Sequence, residues 1–158
     1  MEEHEIQSKN VVTRYVWWSL GAGLVPLPLF DIAVGTGIQV KMLADLAKVY
    51  GVPFKKDRVK AVVGALLGAV TPTRLSQTRA VTALRFVPLV GTAVGIVSEP
   101  LLLGASTYAL GRVFTQHFAS GGTFLDFDPA QVRAHFMQEF EKGKEAVAAQ
   151  IKPETATA

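Results

Sequence analysis

The side chains that could carry out acid–base or metal chemistry are few in this 158-residue sequence, and they are far apart. His4, His117 and His135 form neither a His-x-x-x-His nor a His-Glu-x-x-His spacing, so the sequence predicts no zinc site. The chain has no cysteine, which excludes disulfides, thiolate nucleophiles and thiolate metal ligands. It also lacks Gly-x-x-x-x-Gly-Lys-Ser/Thr, the loop that holds nucleotide phosphates in P-loop enzymes.

Two acids stand out because each is the single charged residue of a long apolar block. Asp31 lies in Tyr15–Val40 and Glu99 lies in Phe86–Gly111. One interpretation makes them a catalytic acid–base pair. The other makes them helix caps or polar packing contacts, and this is the interpretation we favour. Ser106 is not set in a nucleophile-elbow pattern. We therefore predict that the chain is not an enzyme and uses no cofactor or metal.

Between the two blocks the chain is strongly basic. The segment Lys41–Arg85 contains nine lysines and arginines and only two acids, Asp45 and Asp57. One interpretation is a patch that contacts anionic lipid headgroups or a partner protein, and the other is an ordinary solvated face. Few aromatic residues are interleaved with the cations, so we expect no nucleic-acid partner. The cations of the candidate patch are Lys55, Lys56, Arg58 and Lys60.

The spacing of apolar residues predicts helices almost throughout, and no segment alternates as a strand would. One helix is predicted to be capped by Asp31 and to end at Gly51. Asp57 is predicted to cap the next helix, which runs through Val70. A last helix is predicted from Asp128-Pro129 to about Ile151, with Val132, Phe136 and Phe140 on one face. The predicted fold class is all-α, a compact bundle of about five to six helices.

Prolines and glycines divide the two apolar blocks. Pro26 and Pro28 interrupt the first block, and Val87-Pro88-Leu89 repeats Val25-Pro26-Leu27 in the second. We therefore expect two proline-broken, glycine-rich helical hairpins, and whether they arose by duplication stays open. The predicted organisation is a polar N-terminal segment at 1–13, one helical domain at 14–151 and a disordered tail at 152–158.

The composition leaves two environments open for these blocks. The charged fraction is 18% and the mean hydropathy is +0.30, which favours contact with lipid. Trp17 and Trp18 lie where an interfacial aromatic anchor belongs, and the basic segment fits a cytoplasmic side. The alternative is that both blocks form the interior of a soluble bundle. We expect a location at the bacterial inner membrane, integral or tightly peripheral, facing the cytoplasm.

The first block and the helix after it also carry a family signature. The run Val25-Pro26-Leu27-Pro28-Leu29-Phe30-Asp31, followed by Gly37-Ile38-Gln39 and by Tyr50-Gly51, resembles the motif of the YcjF-like family of uncharacterised bacterial membrane-associated domains. Val87-Pro88-Leu89-Val90-Gly91 is similar to the second conserved block of that family. The resemblance implies a helical membrane-associated protein that works with a GTPase of the Era type, here on a separate polypeptide.

The resemblance transfers motif positions but no catalytic role. Pro26, Pro28, Asp31, Gln39 and Gly51 match the first motif, and Pro88 and Gly91 match the second; Glu99 joins them as a candidate because of its setting. The sequence thus predicts a non-enzymatic, membrane-associated accessory or scaffold protein. The alternative is a soluble helical module that binds a lipid, another hydrophobic ligand or a partner. Self-association is left open.

Overall fold

The computed structural model describes residues 2–23, 28–70 and 90–151, with the backbone alone at 23, 28–34, 69–70, 90–100 and 150–151. All regular structure in these ranges is helical, which confirms the predicted all-α bundle. Pro26, Pro88 and the predicted tail at 152–158 lie outside the described residues. The five described helices are α1 (Glu2–Gly23), α2 (Pro28–Tyr50), α3 (Lys56–Val70), α4 (Val90–Ala119) and α5 (Pro129–Ile151).

Helix α4 is the element on which the bundle is assembled, since α1, α2 and α5 all pack against it. Helix α1 runs antiparallel to α4, with Val12 against Gly111 and Leu20 against Gly104. Helix α2 runs parallel to α4, and α3 packs against α2 and α5. From Val90 onward the second apolar block forms one continuous helix.

Glycines allow the neighbours of α4 to come unusually close. A Cβ built on Gly111 would lie 2.5 Å from Cγ2 of Val12. A Cβ on Gly143 of α5 would lie 2.9 Å from the carbonyl oxygen of Ala105, a backbone atom that cannot move away by itself. These contacts set the spacing of α1 and α5 from α4, because any larger residue at either glycine would push the helices apart.

Phenylalanines fill the core at the end of the bundle where α4 meets the loop 120–128. The rings of Phe114 and Phe127 stack with centroids 4.4 Å apart, and Phe118 meets Phe124 edge-on at 5.0 Å. The loop is held over these rings by a hydrogen bond of 2.8 Å from Nε2 of His117 to the carbonyl of Thr123. This aromatic cluster closes the bundle at that end.

Helix ends were predicted well where a side chain or a glycine must act locally. Gly51 has φ +66°, and the amides of Gly51 and Val52 donate to the carbonyls of Lys48 and Ala47, which is the Schellman arrangement. Oδ1 of Asp128 accepts the amide of Ala130 at 3.0 Å and caps α5. Both predicted ends are confirmed.

Two predicted caps are wrong by a few residues. Helix α2 begins at Pro28, so Asp31 lies in its first turn and not at its cap. A proline suits the first helical position because its missing N–H has no partner there in any case. Helix α3 begins at Lys56, which places Asp57 in the first turn as well. An acid in the first turn still interacts favourably with the positive end of the helix dipole.

Helix α1 crosses residue 13 without a break, although the sequence predicted the domain to begin at 14. Ser8 and Val12 are buried, and the hydroxyls of Ser8 and Tyr50 lie 3.1 Å apart. The ring of His4 lies 5.6 Å from that of Tyr50. The polar first residues are therefore the opening turns of α1, and they pack on the end of α2.

Gly143→Ala tests whether glycines set the helix spacing. The added methyl group meets the Ala105 backbone, so the free energy of unfolding should fall by about 1–3 kcal/mol. Gly37→Ala is the matched control, since Gly37 is an exposed helical glycine with nothing within 4 Å of a built Cβ. It should raise stability by about 0.5–1 kcal/mol. Urea unfolding of both variants measures the change in the free energy of unfolding. Equal changes would contradict the conclusion that Gly143 sets the spacing between α5 and α4.

Candidate functional site

The most distinctive exposed feature is a patch on α1 and α2 that we term the tryptophan surface, formed by Arg14, Trp17, Trp18 and Lys41. Trp17 is 53% exposed and Trp18 is 54% exposed. The Lys41 ammonium lies 5.7 Å from the centroid of the Trp18 ring, within the range of a cation–π contact. Two neighbouring exposed indoles beside cations make this patch the candidate interaction surface.

The periodicity of α1 explains why the indoles point outward. Val12, Val16 and Leu20 are buried against the rest of the bundle. At 100° per residue, positions 17 and 18 fall on the opposite side of the helix. Both indoles are therefore exposed to solvent, while the role predicted for them at a membrane interface stays a prediction. Tyr15, two residues before Trp17, is by contrast only 2% exposed.

Asp45 of α2 holds α1 in place through hydrogen bonds next to the tryptophan surface. Its Oδ2 accepts hydrogen bonds from the Tyr15 hydroxyl at 2.6 Å and from Nη2 of Arg14 at 3.1 Å. Nζ of Lys48 lies 3.5 Å from the other oxygen. The carboxylate is thus shared by two cations and a phenol, while Lys41 contacts an indole and no acid among the described residues. The surface is therefore positively charged overall.

The Tyr15 hydroxyl is a neutral donor in this arrangement. The pKa of Tyr15 is raised to about 12 by burial first, and then by the hydrogen bond to Asp45 and the negative charge of that carboxylate. Arg14 opposes this change. The phenol keeps its proton at physiological pH, so it can donate to Asp45 and hold α1 against α2.

A second polar cluster is buried where α1, α2 and α4 meet. The hydroxyls of Ser19 and Thr107 are 2.8 Å apart, and Nε2 of Gln39 donates to the Thr107 hydroxyl at 3.3 Å. All three residues are at most 1% exposed. Oε1 of Gln39 has no partner among the described residues. Gln39, a predicted motif residue, thus joins three helices in the interior.

In the described part of the chain, the other predicted motif residues lie at the two ends of α2 and in the first third of α4. Gly51 ends α2, twelve residues after Gln39, or roughly 18 Å along the helix. Asp31 lies in the first turn of α2, while Gly91 and Glu99 lie in the first third of α4. Pro28 is the first residue of α2.

The predicted basic patch lies elsewhere, at the end of the bundle where α3 begins. Lys55, Lys56, Arg58 and Lys60 are all exposed. Arg58, however, has a structural role: its Nε and Nη2 each donate at 3.0 Å, to the carbonyls of Phe124 and Leu125. The arginine therefore fixes the loop between α4 and α5, and the three lysines are the members of the patch that face solvent.

Glu139 is a buried charge that sequence reasoning missed. It is 2% exposed, Nζ of Lys142 lies 3.0 Å from its Oε1, and Nε of Arg112 lies 3.7 Å from its Oε2. In the sequence it is one of several acids in a polar helix, and no local signal sets it apart. Its burial follows from the close packing of α5 on α4.

Within the described residues, no helix combines the length and the apolar character that crossing a bilayer requires. The same part of the chain contains no group of histidines and acids that could hold a metal ion.

Comparison with known proteins places the chain in context. A family model described as "Domain of unknown function (DUF697)" matches residues 1–144. The chain is 38% identical over 148 residues to "Magnetosome membrane protein 22" of Magnetospirillum gryphiswaldense, which covers 94% of this chain and 75% of that protein. No solved structure matches the chain.

Tyr15→Phe should change how stability depends on pH. Tyr15 ionises near pH 10 when unfolded and at about 12 when folded, so its contribution is complete below pH 10 and is lost between pH 10 and 12. At pH 7 the variant should lose about 1 kcal/mol for the missing hydrogen bond. Urea unfolding at pH 9 and 11.5 should show a smaller alkaline loss for the variant than for the wild type. Equal losses would contradict this account of Tyr15.

Two substitutions separate the members of the buried cluster. Thr107→Val leaves both the Ser19 hydroxyl and the Gln39 amide without partners, so it should lower the free energy of unfolding by about 1–3 kcal/mol. Gln39→Met removes an unpartnered oxygen together with one long hydrogen bond, and should change stability by less than about 1 kcal/mol. Thermal and urea unfolding measure both. A larger loss for Gln39→Met than for Thr107→Val would refute this division.

Proposed function

The chain belongs to the DUF697 family of domains of unknown function, and from the tryptophan surface of this member we propose that it is a non-enzymatic accessory protein that attaches to membranes. The observation that carries the proposal is the pair of half-exposed indoles beside Arg14 and Lys41. Indole rings are favoured at the headgroup level of a bilayer, because one part of the ring is apolar and its N–H can donate a hydrogen bond.

The charges on the surface add an electrostatic term to the attachment. Each lysine or arginine near an anionic bilayer contributes about 1 kcal/mol, and the attraction falls off within a Debye length. Arg14 and Lys48 both pair with Asp45, so Lys41 is the cation of this surface whose attraction to an anionic bilayer is least offset by a neighbouring acid. We therefore propose that the indoles supply most of the affinity, and that the cations add a preference for anionic lipid.

The position of the indoles in the bundle suggests which end meets the membrane. Trp18 lies about 8 Å from the end of α1 at Gly23. Leu20 packs against Gly104 and the two helices are antiparallel, so the end of α1 at Gly23 lies level with about residue 101 of α4. The part of α4 from Val90 to that level therefore extends roughly 15 Å past the end of α1. The sequence at 90–100 has one charged residue, Glu99. The proposed membrane-facing end is therefore the one where α1 ends and α4 begins.

The relative supports the same location. The protein of Magnetospirillum gryphiswaldense is named as a membrane protein of the magnetosome. The alignment with that protein covers 94% of this chain. We take from it a membrane location for this chain, and not a particular organelle or process.

A separate GTPase and self-association remain proposals. The GTPase comes from the YcjF-like resemblance alone. The exposed Lys55, Lys56 and Lys60 lie away from the proposed membrane end, where such a partner could reach them. Gel filtration of the purified chain, alone and with an Era-type GTPase, tests both: a stable co-eluting complex supports the partner, and separate elution with either nucleotide bound counts against it.

Trp17→Ala with Trp18→Ala tests the proposed attachment in vitro. The wild type should co-sediment with vesicles that contain anionic lipid, and the double variant should bind at least about tenfold more weakly, which corresponds to about 1.4 kcal/mol. Leu125→Ala is the matched control, because Leu125 is 64% exposed but lies in the loop between α4 and α5. It should bind as the wild type does. Undiminished sedimentation of the double variant would refute the proposal.

Fractionation of cells extends this test to the native membrane. We expect the wild type in the membrane fraction and the Trp17→Ala, Trp18→Ala variant largely in the supernatant. Release by high salt would indicate that the cations dominate, while release only by detergent would indicate that apolar contacts dominate. Wild-type protein found free in the cytosol would contradict membrane attachment and favour the soluble-module alternative.

A further inference from the structure

A cavity of about 200 Å³ lies between α1, α4 and α5, on a different face of α1 from the tryptophan surface. Its inner wall is apolar: Val12 and Val16 of α1 and Val147 of α5 are each at most 5% exposed, and Tyr108 of α4 lies beside them. A wall of branched aliphatic side chains suits an alkyl chain.

The charged residues that line the cavity carry more positive than negative charge. Lys9 and Arg112 both line the cavity, with Glu5 as the one acid among its lining residues. Lys9 is exposed and has no ion pair among the described residues. Arg112 lies 3.7 Å from Glu139, but that carboxylate already has Lys142 at 3.0 Å. The cavity is therefore complementary to an anion.

Two polar atoms on residues that line the cavity make no hydrogen bond among the described residues. Nε of Arg112 and Oγ1 of Thr115 are buried, and neither makes a hydrogen bond within the described part of the chain. The two residues are three positions apart on α4, so they lie on one face, and both line the cavity. Because both atoms are inaccessible to solvent, the positive groups that a ligand in the cavity can reach are the exposed part of the Arg112 side chain and the Lys9 ammonium.

We propose that this cavity binds an amphipathic anion, namely an alkyl chain that carries one carboxylate. The chain lies against Val12, Val16 and Val147, and the carboxylate lies at Lys9 and Arg112. Such a ligand suits both kinds of lining residue: the valines exclude water from the alkyl chain, and the cations offset the loss of hydration of the carboxylate. The proposal is independent of membrane attachment, because none of these residues belongs to the tryptophan surface.

Calorimetry of the full chain with octanoate, below its micelle concentration, tests the proposal. Octanoate should bind saturably with one site per chain, and octylammonium, which has the same chain and the opposite charge, should bind at least about tenfold more weakly. Lys9→Gln should weaken octanoate binding about two- to fivefold, as expected for one exposed charge. Absence of saturable binding, or equal binding of the two probes, would overturn the proposal.

Filling the cavity gives the sharper variant. Ala146 is exposed and lines the cavity, so the ring of Ala146→Phe should occupy the space and abolish octanoate binding. Ala148→Phe is the matched control: it adds the same ring at an exposed position of α5 that does not line the cavity. It should keep wild-type affinity. Circular dichroism and the unfolding midpoint establish that both variants fold, and octanoate binding retained by folded Ala146→Phe would overturn the proposal.

The Trp17→Ala, Trp18→Ala variant separates this proposal from membrane attachment. It should bind octanoate with unchanged affinity while losing its affinity for vesicles. If octanoate binding were lost with the indoles, the probe would be reporting the tryptophan surface, and the assignment of the cavity would be wrong.

Discussion

The rest of the structure depends on the close steric contact of α4 with α1 and α5. Val12 occupies the space that a side chain at position 111 would fill, and the Ala105 backbone does the same at Gly143. Because these contacts allow little sliding or rotation, they fix which face of α1 is buried. The face left outside carries Trp17 and Trp18. The cavity is lined by the same three helices.

Polar contacts then fix the position of α2 against α1 and α4. Asp45 receives the Tyr15 hydroxyl and the Arg14 guanidinium from α1, and Gln39 reaches Thr107 of α4. Buried polar groups contribute less net stability than apolar contacts of the same size, but their directional bonds favour one register over others. The Arg14–Asp45 contact has a second effect, because it neutralises Asp45 and leaves Lys41 to act beside the indoles.

Local signals in the sequence were sufficient for the fold class and for several helix ends. Gly51 and Asp128 act on their own backbones, and Phe136 and Phe140 keep the helical period, so their roles could be predicted. The residue types of Trp17 and Trp18 suggested a role at an interface, but the sequence alone could not show that both indoles are exposed. The partners of Asp45, 30 and 31 residues away, and the walls of the cavity come from three packed helices. No spacing within one segment indicates them.

The central claim is that the tryptophan surface lies in a membrane interface, and the chain's own fluorescence tests it most directly. Trp17 and Trp18 are the two tryptophans of the sequence, so all indole emission comes from this surface. Adding vesicles that contain anionic and brominated lipids should shift the emission to shorter wavelength, and bromine on the lipid chains should quench it. Emission that stays at its aqueous wavelength and unquenched, while the protein co-sediments with the vesicles, would show that another surface makes the attachment.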